Sequence, residues 1–171
     1  MHVMVDIESL STEHNANIIS IGAVGFDAIK IHGTFSRNIV IQKDRHISDS
    51  TIIWWMKQSE AVRQVFEKDT VPIKAALEDF GWYLKQINNL EGVWGNGSDF
   101  DNVILADAYK QYGIPQPWSH LQNRCYRTLK NMKPDLKLER LGEHHNSLHD
   151  AVSQATHAIE LIKALGLQAA F

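Results

Sequence analysis

The sequence is poor in cysteine, in long apolar runs and in excess charge of one sign. Its single cysteine, Cys125, excludes an internal disulfide framework and any zinc cluster built from cysteines. No apolar run approaches the ~18 residues that a membrane span needs, and the chain begins directly on a strand pattern, so we expect no membrane segment and no signal peptide. A formal net charge of −3 provides no overall basic field for a polyanion. Together these features predict a cytoplasmic protein.

The hydrophobic pattern predicts one α/β domain spanning residues 1–171, because strands dominate the first part of the chain and helices the rest. Three strands that suit an antiparallel meander are predicted at 2–9, 17–27 and 31–41, and a short fourth at 92–97. Helices are predicted at 51–58, 59–68 with Ser59 as its cap, from Asp69 or Thr70 to about Ile87, at 100–113 and at 148–165. Residues 120–131 suit either a strand or a helix. The order predicts a mixed sheet covered by helices.

Two carboxylates lie on the first predicted strand, HVMVDIES. Side chains two residues apart leave the same face of a strand, so Asp6 and Glu8 lie side by side while Val5 and Ile7 face a core. Two such carboxylates repel each other in a low dielectric unless one takes a proton or a cation lies between them. Mg²⁺ and Mn²⁺ prefer oxygen ligands of this kind. The pair therefore indicates a metal site, with a solvated surface pair as the alternative.

A third carboxylate follows the glycine-rich turn in GNGSDFD. Asp101 stands where a predicted strand gives way to a helix, and capping of that helix by Asp99 or Asp101 is the simplest interpretation. The functional alternative is a carboxylate delivered to the edge of the sheet, where loops converge. Gly95 and Gly97 would let the backbone approach a ligand closely, and Asn96 would offer its amide to a sugar or phosphate.

The segment HHNSLHDA combines three histidines and one aspartate. His145 and Asp150 are five residues apart, which is roughly 140° on a continuous helix. They converge only if His145 lies in a loop and Asp150 in the first turns of the last helix, for which Asn146 and Ser147 are suitable caps. Alternatively, His145 and His149 could share a helix face as zinc ligands, but no second cluster with ligand spacing accompanies them.

Adjacent tryptophans on the predicted helix TIIWWMKQ point about 100° apart, so Trp54 and Trp55 cannot share one role. One of them belongs to the core, and the other could stack on a terminal base. Gln58 lies on the same short helix and is a further candidate for substrate contact. Phe100, next to Asp101, is better suited to the core than to stacking.

Taken in order, Asp6-x-Glu8, then Asp101, then His145 with Asp150 five residues later resemble the motifs of the DEDDh 3′–5′ exonucleases. That family includes polymerase proofreading subunits, ribonuclease T and oligoribonuclease. The stretch TIIWWMKQSEAVR further resembles the branch of phage-type exonuclease A and exoribonuclease-like domains. The resemblance spans nearly the whole chain. It implies a ribonuclease H-like fold, with a central sheet of an antiparallel meander plus parallel strands, flanked by helices.

The resemblance also implies a metal-dependent exonuclease acting on single-stranded 3′ ends of DNA or RNA and releasing nucleoside monophosphates. It implies two divalent cations, Mg²⁺ or Mn²⁺. Asp6 would bridge both ions, Glu8 and Asp150 would complete the first, and Asp101 would hold the second directly or through water. His145 would act as the general base, because the family's five-residue spacing to the last aspartate selects it.

Two positions depart from the family pattern, with Ser147 where a small residue such as alanine is common and His149 where an acid is frequent. Neither is one of the five chemical positions, and the presence of all five favours an enzyme over a catalytically inactive nucleic-acid- or partner-binding module. The basic residues between Arg124 and Arg140 suit a solvated helix face, a substrate strand or the homodimer contact common among relatives. The sequence does not indicate whether RNA or DNA is the preferred substrate.

Overall fold

The computed structural model describes residues 1–170, and the strands of this part form one six-stranded sheet in the order β4-β3-β2-β1-β5-β6. The strands are β1 (His2–Ser9), β2 (Ile18–Phe26), β3 (Ile31–Ile39), β4 (Thr70–Val71), β5 (Gly92–Gly95) and β6 (Asn123–Cys125). The helices are α1 (Asp49–Met56), α2 (Glu60–Arg63), α3 (Ile73–Lys85), α4 (Asp101–Gln111), α5 (Tyr126–Asn131) and α6 (Ser147–Ala164). Across residues 1–170 no helix has the length and apolar character that crossing a bilayer requires.

The sheet is mixed, as the sequence predicts. Strands β1, β2 and β3 form the expected antiparallel meander. On the other side of β1, strands β5 and β6 run parallel to it. Parallel neighbours need long crossover connections, and the helices between them provide these. β1 therefore becomes an interior strand, covered on both faces.

Alternation along β1 divides its side chains between two layers of core. Val3, Val5 and Ile7 belong to a cluster with residues of α3 and α4. Met4 faces the opposite layer, where the alanine-rich side of α6 packs against β1 and β2. Asp6 follows Met4 on that second face, so the carboxylates of β1 lie under the start of α6 rather than in open solvent.

Gly22 allows α6 to approach the sheet closely. It pairs with Asp6 across the β1–β2 ladder, and a Cβ atom at this position would collide with the backbone of Ser147 and Leu148. Beside this contact, the hydroxyls of Ser20 and Ser147 are hydrogen-bonded at 2.6 Å. A glycine inside a strand marks such a close approach, and here it brings the first turn of α6 over the carboxyl end of β1.

Two regions differ from the sequence prediction. The helix expected to start at Asp69 or Thr70 begins instead at Ile73, because residues 70–71 pair with the end of β3 as strand β4. Pro72 takes the N-cap position of that helix. Residues 120–131, which suited a strand or a helix, contain a 3₁₀ turn, strand β6 and helix α5 in succession. The short β4 depends on a partner 32 positions earlier in the chain, with Asn38 opposite Thr70 and Ile39 opposite Val71, which local propensity does not encode.

Candidate active site

Four carboxylates from three parts of the chain line one cleft. Asp6 and Glu8 lie at the carboxyl end of β1, Asp101 is the first residue of α4, and Asp150 lies in the first turn of α6. All four line a cleft of about 260 Å³. Oxygen atoms of Asp6, Glu8 and Asp150 lie within 4.8 Å of one another. This is the spacing at which one small cation can contact several carboxylates.

The protonation of these carboxylates reflects their burial and their mutual repulsion. Desolvation, followed by the charges of its carboxylate neighbours, raises the pKa of Asp6 well above its usual range. The same causes raise the pKa of Glu8 to about 8. Desolvation raises the pKa of Asp101 to about 7, although backbone N–H groups, including that of Ile7, oppose the shift. Without a cation the site therefore retains protons near neutral pH, and a divalent ion would replace them.

The donor set fits a hard divalent cation. The three members of the cluster Asp6, Glu8 and Asp150 all offer carboxylate oxygen, which is the ligand that Mg²⁺ and Mn²⁺ prefer. Asp101 faces the same cleft, with its Oδ1 accepting a hydrogen bond from the backbone N–H of Ile7 at 3.2 Å. Its position corrects the capping interpretation, because the N-cap of α4 is Phe100 and no side chain caps that helix. Asp101 is instead directed at β1.

Hydrogen bonds orient two of the carboxylates. Gln154 on α6 donates from Nε2 to Oδ1 of Asp6 at 2.8 Å. Arg140 donates from Nη1 to Oδ1 of Asp150 at 2.8 Å, and the backbone N–H of His145 donates to Oδ2 of Asp150 at 2.8 Å. Partners of this kind fix the rotamers of metal-binding side chains.

His145 lies in the loop before α6, the arrangement that the five-residue spacing to Asp150 requires. Its φ of 64° is in the left-handed region, which is uncommon for a residue other than glycine and is frequent at functional sites. Asn146 caps α6 by accepting from the backbone N–H of His149. Burial, followed by the neighbouring His144, lowers the pKa of His145. The imidazole is therefore neutral, and able to accept a proton, at neutral pH.

His149 has a different environment from His145. Its Nδ1 accepts a hydrogen bond from the backbone N–H of Glu143 at 3.0 Å, and its ring packs over Gly142. The cleft is lined by His144 and His145, and His149 does not contribute to it. The zinc pair formed by His145 and His149, the alternative left by the sequence, is not assembled among residues 1–170.

The two tryptophans have separate environments, as their angular separation requires. Trp55 is 3% exposed, and its indole N–H donates to the carbonyl of Ser9, so it belongs to the core and not to the cleft. Trp54 is 38% exposed and meets the ring of His145 edge-on, with centroids 4.7 Å apart. Gln58 turns back to donate to the carbonyl of Trp54, away from the carboxylates.

A second, more apolar hollow of about 400 Å³ adjoins the carboxylates at Glu8. Trp54 and Phe100 form part of its wall, and Phe100 also packs against the main core, as predicted. The remaining wall contains hydroxyl side chains at Ser9, Ser11, Thr12, Ser50 and Thr51. The hollow therefore combines aromatic surface with small hydrogen-bonding groups.

The basic segment reaches the cleft only in part. Lys130 and Arg140 line it. Arg127 instead donates to the backbone carbonyl of Asn96 at 2.6 Å, and Arg124 donates to carbonyls at the rim of β6. Asn96 itself lies in the cleft wall, and its side-chain oxygen is buried without a protein partner.

Sequence reasoning did not identify Gln154 or Gly22, and it placed Arg140 in the basic segment without pairing it with Asp150. Gln154 carried a usable signal, because it lies four residues after Asp150 and so shares its helix face. It is also a polar side chain, 4% exposed, on a face otherwise rich in alanine. Gly22 carried a weaker signal as a glycine within a strand. Arg140 carried no sequence signal beyond its charge.

Comparison with known proteins agrees with this geometry. A family model described as the 3′–5′ exoribonuclease Rv2179c-like domain matches residues 1–162. No curated protein matches the sequence.

Several solved nucleases share the fold. The nuclease domain of 3′hExo, a DEDDh family member bound to rAMP, has a TM-score of 0.66 and 14% identity, with 98% of this chain and 93% of that chain covered. Exonuclease X in complex with 5′ overhanging duplex DNA has a TM-score of 0.61 and 17% identity, with 97% and 93% covered. Pop2p of S. pombe, with Mg²⁺ and Mn²⁺ bound, has a TM-score of 0.66 and 17% identity, with 98% and 84% covered.

These likenesses confirm the ribonuclease H-like fold, and the family match extends over almost the whole chain. The chain therefore belongs to the family of 3′–5′ exoribonuclease Rv2179c-like domains.

Proposed function

We propose that this exonuclease removes nucleoside monophosphates from single-stranded 3′ ends with the help of two divalent cations, Mg²⁺ or Mn²⁺. The observation that carries the proposal is the convergence of five groups on one cleft. Asp6, Glu8, Asp101, His145 and Asp150 come from β1, α4 and the start of α6, and all of them line it. Distant parts of the fold have no structural need to bring four carboxylates together, since the arrangement costs stability until a cation compensates it.

The carboxylates would hold the cations, with Asp6 shared between both ions, Glu8 and Asp150 on the first and Asp101 on the second. When bound, the cations supply Lewis-acid stabilisation of the attacking and leaving oxygens of an in-line displacement. The four acidic side chains nearly balance the charge of two divalent ions, so the loaded site would accept a phosphodiester anion. This is how a chain of net charge −3 would act on a polyanion.

His145 would take the proton from the attacking water. Its lowered pKa keeps the imidazole neutral at neutral pH. The hydrogen bond from its backbone N–H to Asp150 holds the loop against the carboxylate cluster. The edge contact with Trp54 restricts how far the ring can turn. Both contacts favour a base held at a fixed distance from the reacting water.

The apolar hollow beside Glu8 would receive the terminal nucleotide. Trp54 would offer it an aromatic surface, and stacking of this kind is tolerant of base identity. Asn96 in the cleft wall would contact the sugar or phosphate: its buried, unpaired side-chain oxygen could accept from a sugar hydroxyl, or its amide N–H groups could donate to a phosphate oxygen. Lys130 and Arg140 line the carboxylate cleft itself. We therefore assign them to the phosphate backbone rather than to a homodimer contact.

RNA would be the preferred substrate. The matching family model describes an exoribonuclease. In the wall of the hollow, the hydroxyls of Thr12 and Thr51 could pair with a ribose 2′-OH, whereas those of Ser9, Ser11 and Ser50 already bond within the protein. We place this activity in the cytoplasm, where the single free cysteine would remain reduced.

The first experiment compares matched 5′-labelled single-stranded RNA and DNA oligonucleotides, each incubated with Mg²⁺ or Mn²⁺. We expect a ladder that shortens from the 3′ end, with faster shortening of RNA. Chelation with EDTA should stop it. A folded protein that cleaves neither substrate would instead support the inactive binding module, and faster cleavage of DNA would contradict the assigned sugar preference.

Replacement of Trp54 by alanine should weaken substrate binding more than catalysis. Base stacking on an aromatic side chain is worth ~1–3 kcal/mol, so KM should rise about 5–150-fold. Phenylalanine at this position should recover most of the loss. Trp82 is 67% exposed on α3 and gives the matched control, since Trp82→Ala should leave KM unchanged. A fall in kcat with unchanged KM would show that Trp54 positions His145 and does not bind the substrate.

A further inference from the structure

Besides the carboxylate cluster, the structure brings together a second set of metal-binding groups. A nitrogen from each of His144 and His145 and an oxygen of Asp150 lie within 4.8 Å of one another. The two imidazole rings are stacked, with centroids 3.7 Å apart and planes inclined by 26°. His144 is exposed, so an ion can reach the group directly from solvent. The two clusters share only Asp150.

The ligands of this second group differ in kind from those of the first. Two imidazoles and one carboxylate are the usual protein ligands of zinc, which binds three such side chains and leaves a fourth position to water. Zinc binds its ligand atoms at distances of about 2.0–2.2 Å. Around one ion the three ligand atoms would therefore lie closer to one another than they do in the present arrangement. Modest rotation of the two stacked rings would close the group around an ion. Mg²⁺ prefers sites made of oxygen alone, and a site containing nitrogen binds Zn²⁺ more tightly than Mn²⁺.

We propose that His144, His145 and Asp150 form a zinc site that switches the nuclease off. A bound Zn²⁺ would occupy the nitrogen of His145 that takes the proton and would draw Asp150 from the carboxylate cluster. The site is distinct from the zinc pair of His145 and His149 considered from the sequence, because the second histidine is the exposed neighbour His144. Binding of zinc is independent of the proposed function, and only its inhibitory effect rests on it.

The surrounding charges limit the affinity without preventing binding. The guanidinium of Arg140 contacts Oδ1 of Asp150 and would have to turn away, which its half-exposed side chain permits. Lys130 adds a second positive charge along the cleft wall. The hydrogen bond from the backbone N–H of His145 to Oδ2 of Asp150 can remain in place. We therefore expect a reversible inhibitory site rather than a structural zinc centre.

Direct binding is the first test. Metal-free protein would be titrated with ZnCl₂ in competition with a chromogenic chelator, and Co²⁺ would be added separately to look for the visible absorption of a tetrahedral site. His144→Ala should lower zinc affinity by at least about 100-fold, because loss of an outer partner alone costs ~10–100-fold. His144→Gln serves as a second variant. His14→Ala, which removes another exposed histidine, should bind zinc like the parent protein.

Inhibition is the second test, in the presence of saturating Mn²⁺. Each rate would be expressed relative to the zinc-free rate of the same variant. Added zinc should inhibit the parent protein and the His14→Ala variant, whereas the relative rate of His144→Ala should be unaffected by zinc. Equal zinc affinity in the parent and His144→Ala would overturn the site and place the ion among the carboxylates. If His144→Ala no longer bound zinc at this site but was still inhibited by zinc, the proposal that the site switches the nuclease off would be wrong. A parent protein without nuclease activity would contradict the proposed function, while the chelator titration would still decide the zinc site.

Discussion

Replacement of Asp6 by asparagine is expected to abolish metal-dependent hydrolysis while the fold is retained. Asparagine keeps the shape of the side chain, and its carbonyl oxygen can still accept the hydrogen bond that Gln154 donates. It removes the negative charge at the centre of the cluster, where a cation would be shared. The Lewis-acid contribution of a bound metal is several kcal/mol, so the rate should fall by about 10³-fold or more.

The check combines a rate measurement with a binding measurement. Cleavage of the labelled RNA would be followed under single-turnover conditions, and Mn²⁺ binding by electron paramagnetic resonance. Both should fall together in Asp6→Asn. Asp79→Asn is a suitable control, because Asp79 lies on α3 in an exposed ion pair with Arg37 and has no place in the cleft. Full activity of Asp6→Asn would refute the assigned metal site.

The stability of the metal-free protein gives an independent readout of the same carboxylate. The folded-state pKa of Asp6, of Glu8 (about 8) and of Asp101 (about 7) is raised above the ordinary values of 3.8 to 4.5. The folded state therefore binds more protons than the unfolded state across this range, and stability falls as pH rises through about 7–8.

Asp6→Asn removes one of the carboxylates that must lose a proton. Its melting temperature in EDTA should therefore fall less steeply than that of the parent protein between about pH 6 and pH 9. Divalent cations should restore the melting temperature of the parent protein at high pH and should raise that of the variant less. If the melting temperature fell more steeply with pH in Asp6→Asn than in the parent protein, the charge of Asp6 would not be a source of the repulsion among the carboxylates.

The sequence predicts which residues meet in the cleft better than it predicts the residues that surround them. Alternation along β1 places Asp6 and Glu8 on one face, because side-chain direction in a strand is a local property. Helical geometry requires His145 to lie in a loop and Asp150 in a helix if the two are to converge, and the family resemblance favours that convergence over a zinc pair of His145 and His149. Trp54 and Trp55 have different environments, as their angular separation predicts, and the contact of Trp54 with substrate stays a proposal. Which of them is buried depends on where the neighbouring elements pack, and helical geometry does not contain that information.

The groups that sequence reasoning missed depend on distances between remote elements. Gln154 reaches Asp6 across 148 positions of the chain, and Gly22 matters only because α6 crosses the sheet directly above it. The stacking of His144 on His145 depends on a backbone with positive φ, which histidine adopts rarely. Periodicity predicts which face a residue occupies, whereas these contacts depend on how closely two faces approach.

Replacement of His145 by alanine is expected to lower kcat about 10²–10⁴-fold, the usual contribution of a general base. Mn²⁺ affinity should be unchanged, because the histidine is not a ligand of the carboxylate cluster in our assignment. His149→Ala is the matched control and should retain most activity, since His149 hydrogen-bonds the backbone of Glu143 outside the cleft. A greater loss in His149→Ala than in His145→Ala would show that the five-residue spacing had selected the wrong base.

The pH profile separates loss of a base from loss of structure. The pKa of His145 is lowered from its ordinary value of 6.5, so at saturating Mn²⁺ the parent protein should lose activity only as pH falls below about 6.5, where the imidazole gains a proton. His145→Ala should lack this acid limb.

Chemical rescue gives a sharper distinction between a base and a metal ligand. Truncation to alanine leaves a space beside Trp54 that free imidazole can enter, and a diffusible base can take the proton without being covalently held. Added imidazole should therefore raise the rate of His145→Ala and leave Asp6→Asn inactive, because a neutral base cannot replace a lost carboxylate charge. Equal failure of rescue in both variants, with Mn²⁺ affinity also lost in His145→Ala, would assign His145 to metal binding instead of proton transfer.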